Sequence, residues 1–465
     1  MEFINEERIN DILKNPALKK EDYQKTVIEK AKLKKGISVE EAGALLNIET
    51  PELYQELFLT ANELKQSIYG NRLVMFAPLY LTNACVNNCL YCGFRKDNKE
   101  LTRRTLSIDE VGQEADSLIR QGHKRLLLVC GEHPKISNVE FVGEAIRKIY
   151  SLDYNGNNIR RVNVNIAPLS LEDFKKLNSY EIGTYQLFQE TYHYDTYKIM
   201  HPSGPKKDYA YRLTAPNRAF EAGIDDLGIG ALFGLTDPKW ETLAMLMHAE
   251  YMEATLGVGP HTISVPRLEP ALNAPSANQP PNAVDDLTFK KIIAVLRLAA
   301  PYTGIILSTR ERAELRRELF NVGISQISAG SKTSPGSYKD SENPESHGQK
   351  DMEQFSLGDH RSLNEVVKDV CEQGYMPSFC TACYRSGRTG DRFMALAKDG
   401  TIGHICSPNA MATFKEYMID FADKGTIEVG EKALAEQVEK LPEKTKNKTK
   451  SMISKLENGE RDVYF

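Results

Sequence analysis

The sequence predicts an α/β protein whose core is a (βα)8 barrel of the TIM type, with helical extensions before and after it. Short β-rich segments alternate with longer amphipathic segments eight times between residues 71 and 354, which is the pattern of parallel βα units. A cysteine-rich loop directly follows the first predicted strand, at the end of a barrel where reactive groups collect. Helix-like segments precede and follow this region.

The predicted strands are short runs rich in β-branched and aromatic residues, at residues 74–81, 125–130, 161–166, 183–189, 225–230, 262–266, 304–309 and 323–328. Amphipathic segments between them are predicted to be helices, at residues 107–122, 139–152, 208–223, 238–257 and 287–301. Two segments rich in Pro, Ser, Asn and charge, residues 273–286 and 331–354, are predicted to lie outside regular elements.

The chain is therefore predicted to have three parts. Residues 1–70 form an N-terminal helical extension, residues 71–354 the barrel, and residues 355–465 a mostly helical C-terminal extension that carries a second group of cysteines. A length of 465 residues suggests more than one domain, but a barrel with extensions accommodates it.

Composition and charge argue against several classes of function. A net charge of −5 argues against binding to nucleic acid, which requires a basic surface. The acidic N-terminus lacks the apolar segment of a signal peptide, and nowhere do about 18 apolar residues run together. Eight cysteines, mostly at ligand spacing, fit a reducing cytoplasm better than a disulfide scaffold. We expect a cytoplasmic protein with no membrane or nucleic-acid partner.

Cys85, Cys89 and Cys92 form a Cys-x3-Cys-x2-Cys motif in the segment NACVNNCLYCGF. Three thiolates suit one 4Fe-4S cluster and leave its fourth iron without a protein ligand, where chemistry can occur. A zinc site usually has four ligands in paired spacing, and three unrelated buried cysteines are the other alternative. The motif favours a cluster.

Cys380, Cys383 and Cys406 form a second set with the spacing Cys-x2-Cys-x22-Cys. It again contains three cysteines, so we predict a second 4Fe-4S cluster with an open iron. His404 could supply a fourth ligand to zinc, and this alternative stays open. The remaining cysteines, Cys130 and Cys371, are predicted to be core residues.

The first motif, with the aromatic Tyr91 between its last two cysteines, resembles the motif of the radical S-adenosylmethionine (SAM) enzymes. The resemblance implies that SAM chelates the open iron and is cleaved to a 5'-deoxyadenosyl radical. Gly131 and Glu132, after the second predicted strand, resemble part of the Gly-Gly-Glu segment that holds the SAM ammonium group, although Cys130 replaces the first glycine. A polar loop after a buried strand would explain them too.

Other predicted strand ends supply further candidates. Glu190 and, more weakly, Asn165 could contact the ribose or amine of SAM, and Lys206 and Arg212 could neutralise its carboxylate, although an exposed helix start explains the two basic residues nearly as well. Arg310, after the seventh strand, could clamp a substrate carboxylate bidentately. The neighbouring arginines, predicted to lie on a helix surface, are Arg312, Arg316 and Arg317.

Nearly the whole chain resembles the tyrosine lyase branch of the radical SAM enzymes, and within it the FeFe-hydrogenase maturases. The likeness lies in CVNNCLYC, QETYH, GPHTISVPRLEPA, STRE, SAGSKTSPGSY and the trailing Cys-x2-Cys-x22-Cys. The resemblance implies cleavage of L-tyrosine to p-cresol and dehydroglycine, and then formation of carbon monoxide and cyanide on iron for the hydrogenase H-cluster. The alternatives are a 2-iminoacetate synthase of thiamine biosynthesis, which is not expected to carry the second cluster, and a non-catalytic iron–sulfur carrier.

The resemblance also assigns roles to single residues and partners. His261, just before the sixth strand, would ligate a labile extra iron, although a lone histidine is often a surface or core residue. Arg310 and Ser328 would hold the tyrosine carboxylate. Two clusters at opposite barrel ends imply a passage with polar walls for the intermediate. An electron donor such as ferredoxin or flavodoxin and hydrogenase maturation proteins are the implied protein partners.

Overall fold

The computed structural model describes residues 3–342, 350–398 and 400–465. Its centre is a closed barrel of eight parallel strands in sequence order. The first strand pairs with both the second and the eighth, which closes the barrel, and a ninth strand also pairs with the first. The strands are β1 (Arg72–Thr82), β2 (Arg125–Cys130), β3 (Arg161–Asn165), β4 (Tyr185–Glu190), β5 (Leu227–Ala231), β6 (Thr262–Ser264), β7 (Gly304–Leu307), β8 (Gln326–Ser328) and β9 (Met376–Ser378).

Helices surround the barrel and form most of both extensions. They are α1 (Glu6–Lys14), α2 (Glu21–Ala31), α3 (Val39–Leu46), α4 (Pro51–Tyr69), α5 (Ile108–Arg120), α6 (Val139–Tyr150), α7 (Leu171–Asn178), α8 (Tyr194–Met200), α9 (Tyr209–Leu213), α10 (Ala215–Glu221), α11 (Pro238–Leu256), α12 (Pro275–Asn278), α13 (Asp286–Ala299), α14 (Ala313–Phe320), α15 (Ser337–Asp340), α16 (Leu363–Glu372), α17 (Ala382–Arg385), α18 (Gly390–Lys398), α19 (Thr401–Asp420), α20 (Lys424–Glu439) and α21 (Glu443–Glu457).

Local sequence signals explain where the outer helices begin and end. Ser107 accepts a hydrogen bond from the N–H of Glu110 at the start of α5, and the Glu110 side chain accepts one in return from the Ser107 N–H. This capping box satisfies backbone donors that the first helical turn leaves unpaired. Gly257 ends α11 in the left-handed region, a conformation that glycine adopts without steric cost.

The two extensions pack on different parts of the barrel. In the N-terminal part, α3 and α4 lie against α13, and α1 and α3 lie against α11. In the C-terminal part, β9 pairs with the first three residues of β1, and α19 packs on β9. The C-terminal extension therefore lies at the N-terminal ends of the strands, which is the face opposite the cysteine loop that follows β1.

The predicted (βα)8 barrel is confirmed, and each of its eight strands overlaps the predicted one. Two details were wrong: α12 and α15 lie within the segments predicted to be irregular, because a single helical turn is too short to give a periodic pattern. Residues 343–349 of the second segment lie outside the described residues, and the three domain boundaries stay a prediction. Within the described ranges, no helix is both long enough and apolar enough to span a bilayer.

Candidate functional site

The C-terminal ends of the strands surround a cavity of about 200 Å³, which we name the upper cavity. Parallel strands all end at this face, so residues that are distant in sequence meet there. The cavity wall includes every residue predicted for the first cluster, SAM and substrate: Cys85, Cys89, Tyr91, Cys92, Gly131, Glu132, Asn165, Glu190, Lys206, Arg212, Arg310 and Ser328.

The loop after β1 holds its three thiols inside the protein. Backbone N–H groups of Asn87 and Glu132 lie near the sulfur of Cys85 and favour its thiolate form, which lowers its pKa against the effect of burial. Burial raises the pKa of the thiols, to about 12 for Cys89. Such thiols keep their protons until a metal displaces them, and N–H donors around the sulfur suit the negative charge of a bound cluster. The donor set fits a cluster held by three cysteines.

The end of β2 is joined closely to this cysteine loop. A Cβ atom on Gly131 would lie only 2.4 Å from the carbonyl oxygen of Ala84, so only glycine permits the approach. The Glu132 carboxylate accepts a hydrogen bond of 2.6 Å from the Asn87 amide and faces the cavity. Cys130, predicted to be a core residue, is half-buried: it packs against the core and also lines the upper cavity, because its strand end opens into that cavity.

Glu190 ends β4 with a strained backbone, at a φ of +73°. Its carboxylate contacts the Lys206 ammonium at 2.6 Å and the Arg212 guanidinium at 3.5 Å. Burial opposes ionisation, but these two cations outweigh it and lower the pKa of Glu190. Non-glycine residues with positive φ concentrate at functional sites. Arg212 is buried beside this anion and Lys206 is partly buried, so neither is an exposed helix residue.

Arg310 and Ser328 face the same cavity from the ends of β7 and β8. In the described part of the chain, the Arg310 guanidinium donates one hydrogen bond, of 3.4 Å to the Arg267 carbonyl, and stacks 3.3 Å from the Phe355 ring centre. Its other N–H groups are available to a ligand. Ser328 Oγ accepts from the Thr309 N–H at 3.1 Å, so its own hydroxyl proton can be donated.

Tyr91 and Asn165 line the upper cavity with different degrees of constraint. The Tyr91 hydroxyl is hydrogen-bonded to His201 Nε2 at 2.7 Å, so its ring, not its hydroxyl, faces a ligand. Asn165 lies at the end of β3, paired with Val129 of β2. Both residues are positioned to contact a ligand in this cavity.

A second cavity, of about 70 Å³, opens at the opposite end of the barrel and is named the lower cavity. Its wall contains all four residues predicted for the second metal site: Cys380, Cys383, Cys406 and His261. Cys383 and Cys406 share a hydrogen bond, which lowers the pKa of Cys406 and raises that of Cys383. The strand β9 delivers Cys380 here, and its carbonyl oxygen accepts a 2.8 Å hydrogen bond from Arg125 at the start of β2.

His261 enters the lower cavity from the segment before β6. Its Nδ1 lies 3.4 Å from an Asp226 carboxylate oxygen, and its ring packs 4.6 Å from that of Phe393. Burial lowers the pKa of His261, which favours the neutral imidazole that binds metals. A carboxylate behind a metal-binding histidine fixes its ring orientation. The surroundings therefore fit a metal ligand.

The zinc alternative for the second set finds no support. His404 is exposed, whereas Cys406, two residues on, is buried, and residues two apart on a helix face different directions. Among the residues that the structure describes, no three His, Cys, Asp or Glu side chains are grouped as a site for one metal ion. A cluster needs another arrangement, because each cysteine ligates a different iron.

Several residues in the two cavities were not predicted. Asn87 and Gln354 lie in the upper wall, and Arg125 and Tyr384 in the lower one. Asn87 and Tyr384 have a weak signal, since each stands inside or next to a cysteine motif. Gln354 and Arg125 have none: their roles arise only when distant segments fold together.

The barrel interior between the cavities is partly polar. Gln186 on β4 donates to Thr262 Oγ1 on β6 at 3.2 Å. A Cβ on Gly304 would lie 2.4 Å from Nε2 of Gln326, so the glycine leaves the space that this amide fills. Apolar side chains of the same interior are Phe76, Leu127 and Ile306. The interior is not a continuous apolar plug, and the predicted passage stays a prediction.

Comparison with known proteins identifies the family. The family model of the Radical SAM superfamily matches residues 79–248, and that of the Biotin and Thiamin Synthesis associated domain matches residues 264–376. The 2-iminoacetate synthase of Salmonella typhimurium is 32% identical over 346 residues, which is 73% of this chain and 86% of the synthase. The chain belongs to this radical SAM lyase family.

Two solved structures of the family match over almost the full length. A structure of HydG, described as a maturase of the [FeFe]-hydrogenase, is 51% identical with a TM-score of 0.96 and covers 100% of both chains. HydG from Carboxydothermus hydrogenoformans is 43% identical with a TM-score of 0.81 and covers 96% of each. The likeness thus extends past residue 376, where the second family model ends, into the C-terminal extension.

A radical SAM lyase holds a 4Fe-4S cluster and SAM. The upper cavity fits both, because it combines three thiols with carboxylates and cations on one side of them. The predictions of a radical SAM enzyme and of this lyase family are confirmed. The role of each residue stays a prediction.

Proposed function

We propose that this protein cleaves the Cα–Cβ bond of L-tyrosine to p-cresol and dehydroglycine, and then converts dehydroglycine to carbon monoxide and cyanide on iron destined for the FeFe-hydrogenase H-cluster. The observation that carries the proposal is the lower cavity, which gathers Cys380, Cys383, Cys406 and His261 at the barrel end opposite the upper cavity. The full-length similarity to HydG supports it.

In the upper cavity, Cys85, Cys89 and Cys92 would hold the first 4Fe-4S cluster, and the open iron would bind the amino and carboxylate groups of SAM. When SAM is bound to the reduced cluster, the two cofactors together supply a 5'-deoxyadenosyl radical. Glu132 and Glu190 present the carboxylates that an ammonium or ribose hydroxyls need. Lys206, Arg212, Tyr91, Gly131 and Asn165 complete the binding wall.

The upper cavity would also position tyrosine for hydrogen abstraction from its amino group. Arg310 offers unpaired N–H groups to the substrate carboxylate, and Ser328 offers a hydroxyl beside it. Because a carbon radical reacts with the hydrogen nearest to it, the carboxylate anchor decides which bond breaks. The Phe355 ring under Arg310 keeps the guanidinium in one orientation.

In the lower cavity, the three cysteines would hold a second 4Fe-4S cluster, and His261 would ligate a labile extra iron that is exported with the diatomic products. Arg72, Arg125 and Arg388 also line this cavity. Their positive charges favour anionic contents such as cyanide or a carboxylate. An electron donor such as ferredoxin or flavodoxin and hydrogenase maturation proteins would be the partners.

A second candidate is the 2-iminoacetate synthase reaction alone, favoured by the similarity to that enzyme over 346 residues. It would use the upper cavity and leave the lower one without a catalytic role. A non-catalytic iron–sulfur carrier would need neither Glu190 with its two cationic partners nor Arg310.

The test is anaerobic turnover with SAM, dithionite and tyrosine, comparing the wild-type protein with the double variant Cys380→Ala/Cys383→Ala. We expect the variant to form p-cresol at the wild-type rate and to lose carbon monoxide. Cys371→Ala, in a core cysteine on α16, is the matched control and should retain both products. Equal carbon monoxide yields from the wild type and the double variant would favour the 2-iminoacetate synthase reaction alone. A wild-type protein that does not cleave SAM would favour the non-catalytic carrier.

A further inference from the structure

Residues 351–358, which we name the strap, cross the mouth of the upper cavity without forming a helix or strand after Met352. The Gln354 carbonyl accepts a hydrogen bond of 3.0 Å from the Gly93 N–H in the cysteine loop. Four residues later, the Gly358 N–H donates at 3.0 Å to the Thr309 carbonyl at the end of β7. The strap thus connects the first cysteine motif to the segment after β7 that carries Arg310.

The sequence of the cysteine loop permits this contact. A Cβ atom on Gly93 would lie 2.6 Å from the Glu353 carbonyl oxygen and 2.9 Å from that of Gln354. Real Cβ atoms do not approach backbone oxygens so closely, so a side chain at this position would push the strap away. The glycine directly after Cys92 therefore allows the strap to lie on the cysteine motif.

The Gln354 side chain has both ends of its amide occupied. Nε2 donates to the sulfur of Cys92 over 3.6 Å, and Oε1 accepts a hydrogen bond of 2.8 Å from the Tyr80 hydroxyl. The Tyr80 ring is in turn held edge-to-face against Phe94. The sulfur of a ligating thiolate can only accept a hydrogen bond, so the NH2 group of the amide faces Cys92 and Oε1 is left to accept from the Tyr80 hydroxyl.

We propose that Gln354 sets the reduction potential of the first cluster by hydrogen bonding to Cys92. The inference rests on the proposed function, since it takes Cys92 as a ligand of that cluster. Reduction adds a negative charge, and a donor on a ligating sulfur stabilises that charge more in the reduced state than in the oxidised state. The amide therefore raises the potential, and Tyr80 positions the amide.

The next strap residue touches the other half of the site. Phe355 stacks under the Arg310 guanidinium, while Gln354 contacts Cys92, so one short segment supports the cluster and the substrate anchor through adjacent side chains. This arrangement provides a matched control: Phe355→Leu alters the same strap without removing the donor to Cys92.

The test measures the potential of the SAM-responsive cluster signal by electron paramagnetic resonance during redox titration of the full-length enzyme carrying both clusters. We expect Gln354→Leu to move the potential to a more negative value. Gln354→Glu should move it further, since a carboxylate would place a like charge beside the cluster. Phe355→Leu should keep the wild-type potential while raising the KM for tyrosine.

Iron and sulfide content separates the possible failures. A wild-type potential in Gln354→Leu with full cluster content would overturn the role of Gln354 and leave the proposed function intact. If that variant does not fold, Tyr80→Phe decides, because it keeps the glutamine and removes only its orienting donor. A negative shift in Tyr80→Phe supports the proposal, and an unchanged potential overturns it. A wild-type enzyme without any SAM-responsive signal would overturn the cluster assignment itself.

Discussion

Arg310 combines burial with few protein partners. Burial lowers the pKa of its guanidinium, but an arginine stays charged throughout the physiological range. A buried cation with unpaired N–H groups beside a cavity is costly unless a ligand anion completes it. The arrangement is therefore more useful for binding a carboxylate than for stabilising the fold.

Arg310→Lys keeps the charge and removes the planar fork that binds a carboxylate through two hydrogen bonds. We expect the KM for tyrosine to rise roughly 10- to 100-fold, which corresponds to about 1.4–2.8 kcal/mol. Steady-state p-cresol formation measures it. Arg312→Lys is the control, since Arg312 is half-exposed and pairs with Asp286 at 2.6 Å. Equal KM values for the two variants would contradict a role of Arg310 in substrate binding.

Spacing predicted which cysteines line each cavity, because the short intervals Cys-x3-Cys-x2-Cys and Cys-x2-Cys are typical of cluster ligands. The environment of single polar residues could not be predicted in this way. Arg316, predicted to lie on a helix surface, is fully buried and pairs with Asp359 at 2.5 Å. Its partner lies 43 residues along the chain, so no local pattern reveals it. The same holds for Gln354 and Cys92, 262 residues apart.

At the scale of elements, helix α19 ties the C-terminal extension to the barrel through a buried charge. The Glu416 carboxylate contacts Arg160 at 2.6 Å and Lys124 at 3.2 Å. The three side chains are at most 4% exposed. Both cations lie near the start of barrel strands, so this group holds the segment behind the second cysteine set against the lower face.

Glu416→Gln would leave the buried Lys124 without an anion and Arg160 with only the partly exposed Asp462 as its partner. Removing one member of a buried ion pair costs about 3–5 kcal/mol. We expect a lower urea midpoint for the cluster-free protein at pH 7. Glu431→Gln is the control, because its pair with Lys415 is half-exposed and such pairs contribute at most about 1 kcal/mol. Similar midpoints for both variants would contradict an anchoring role of Glu416.

The loss of stability caused by Glu416→Gln should depend on pH. Burial opposes ionisation of Glu416, but Arg160 and Lys124 outweigh it and lower its pKa. A carboxylate with a lowered pKa stabilises the fold above its unfolded pKa of about 4.3 and loses that contribution as the pH falls through the folded value. The difference in urea midpoint between wild type and Glu416→Gln should therefore shrink below about pH 4. A difference that stays constant with pH would exclude the charge as its cause.

The main elements could be predicted from hydrophobic pattern, and the barrel strands were found to within a few residues. The strand β9 was missed, since its three residues, Met376–Ser378, are too few for an alternating pattern. This omission matters, because β9 is the element that brings the second cysteine set to the lower face. The sequence indicated that the set exists but gave no physical signal for how the chain reaches that face.

At the scale of the whole molecule, two cavities of different size lie at opposite ends of one barrel. The interior side chains between them include amides and hydroxyls where barrels usually carry branched aliphatic residues. A polar intermediate such as dehydroglycine would cross this partly polar interior more readily than it would cross an apolar interior.

Gln326→Leu keeps the volume of an interior side chain and removes its amide. We expect p-cresol formation at the wild-type rate and roughly tenfold less carbon monoxide, as a polar intermediate would face a barrier higher by about 1.4 kcal/mol. The two products are measured in one anaerobic assay. Gln326→Asn, which retains an amide, is the control. Unchanged carbon monoxide in the leucine variant would exclude transfer past this residue.

The strand β1 belongs to both cavities. Arg72 and Val74 line the lower one, and Phe76, Pro78 and Tyr80 line the upper one. At about 3.3 Å per residue, roughly 26 Å separate Arg72 from Tyr80 along the strand. An extended strand that is hydrogen-bonded on both edges cannot stretch, and inserting one residue would reverse the facing of every side chain beyond it. The strand therefore fixes the distance between the two cavities. Substitutions can change the chemistry of either cavity, while this distance stays constant.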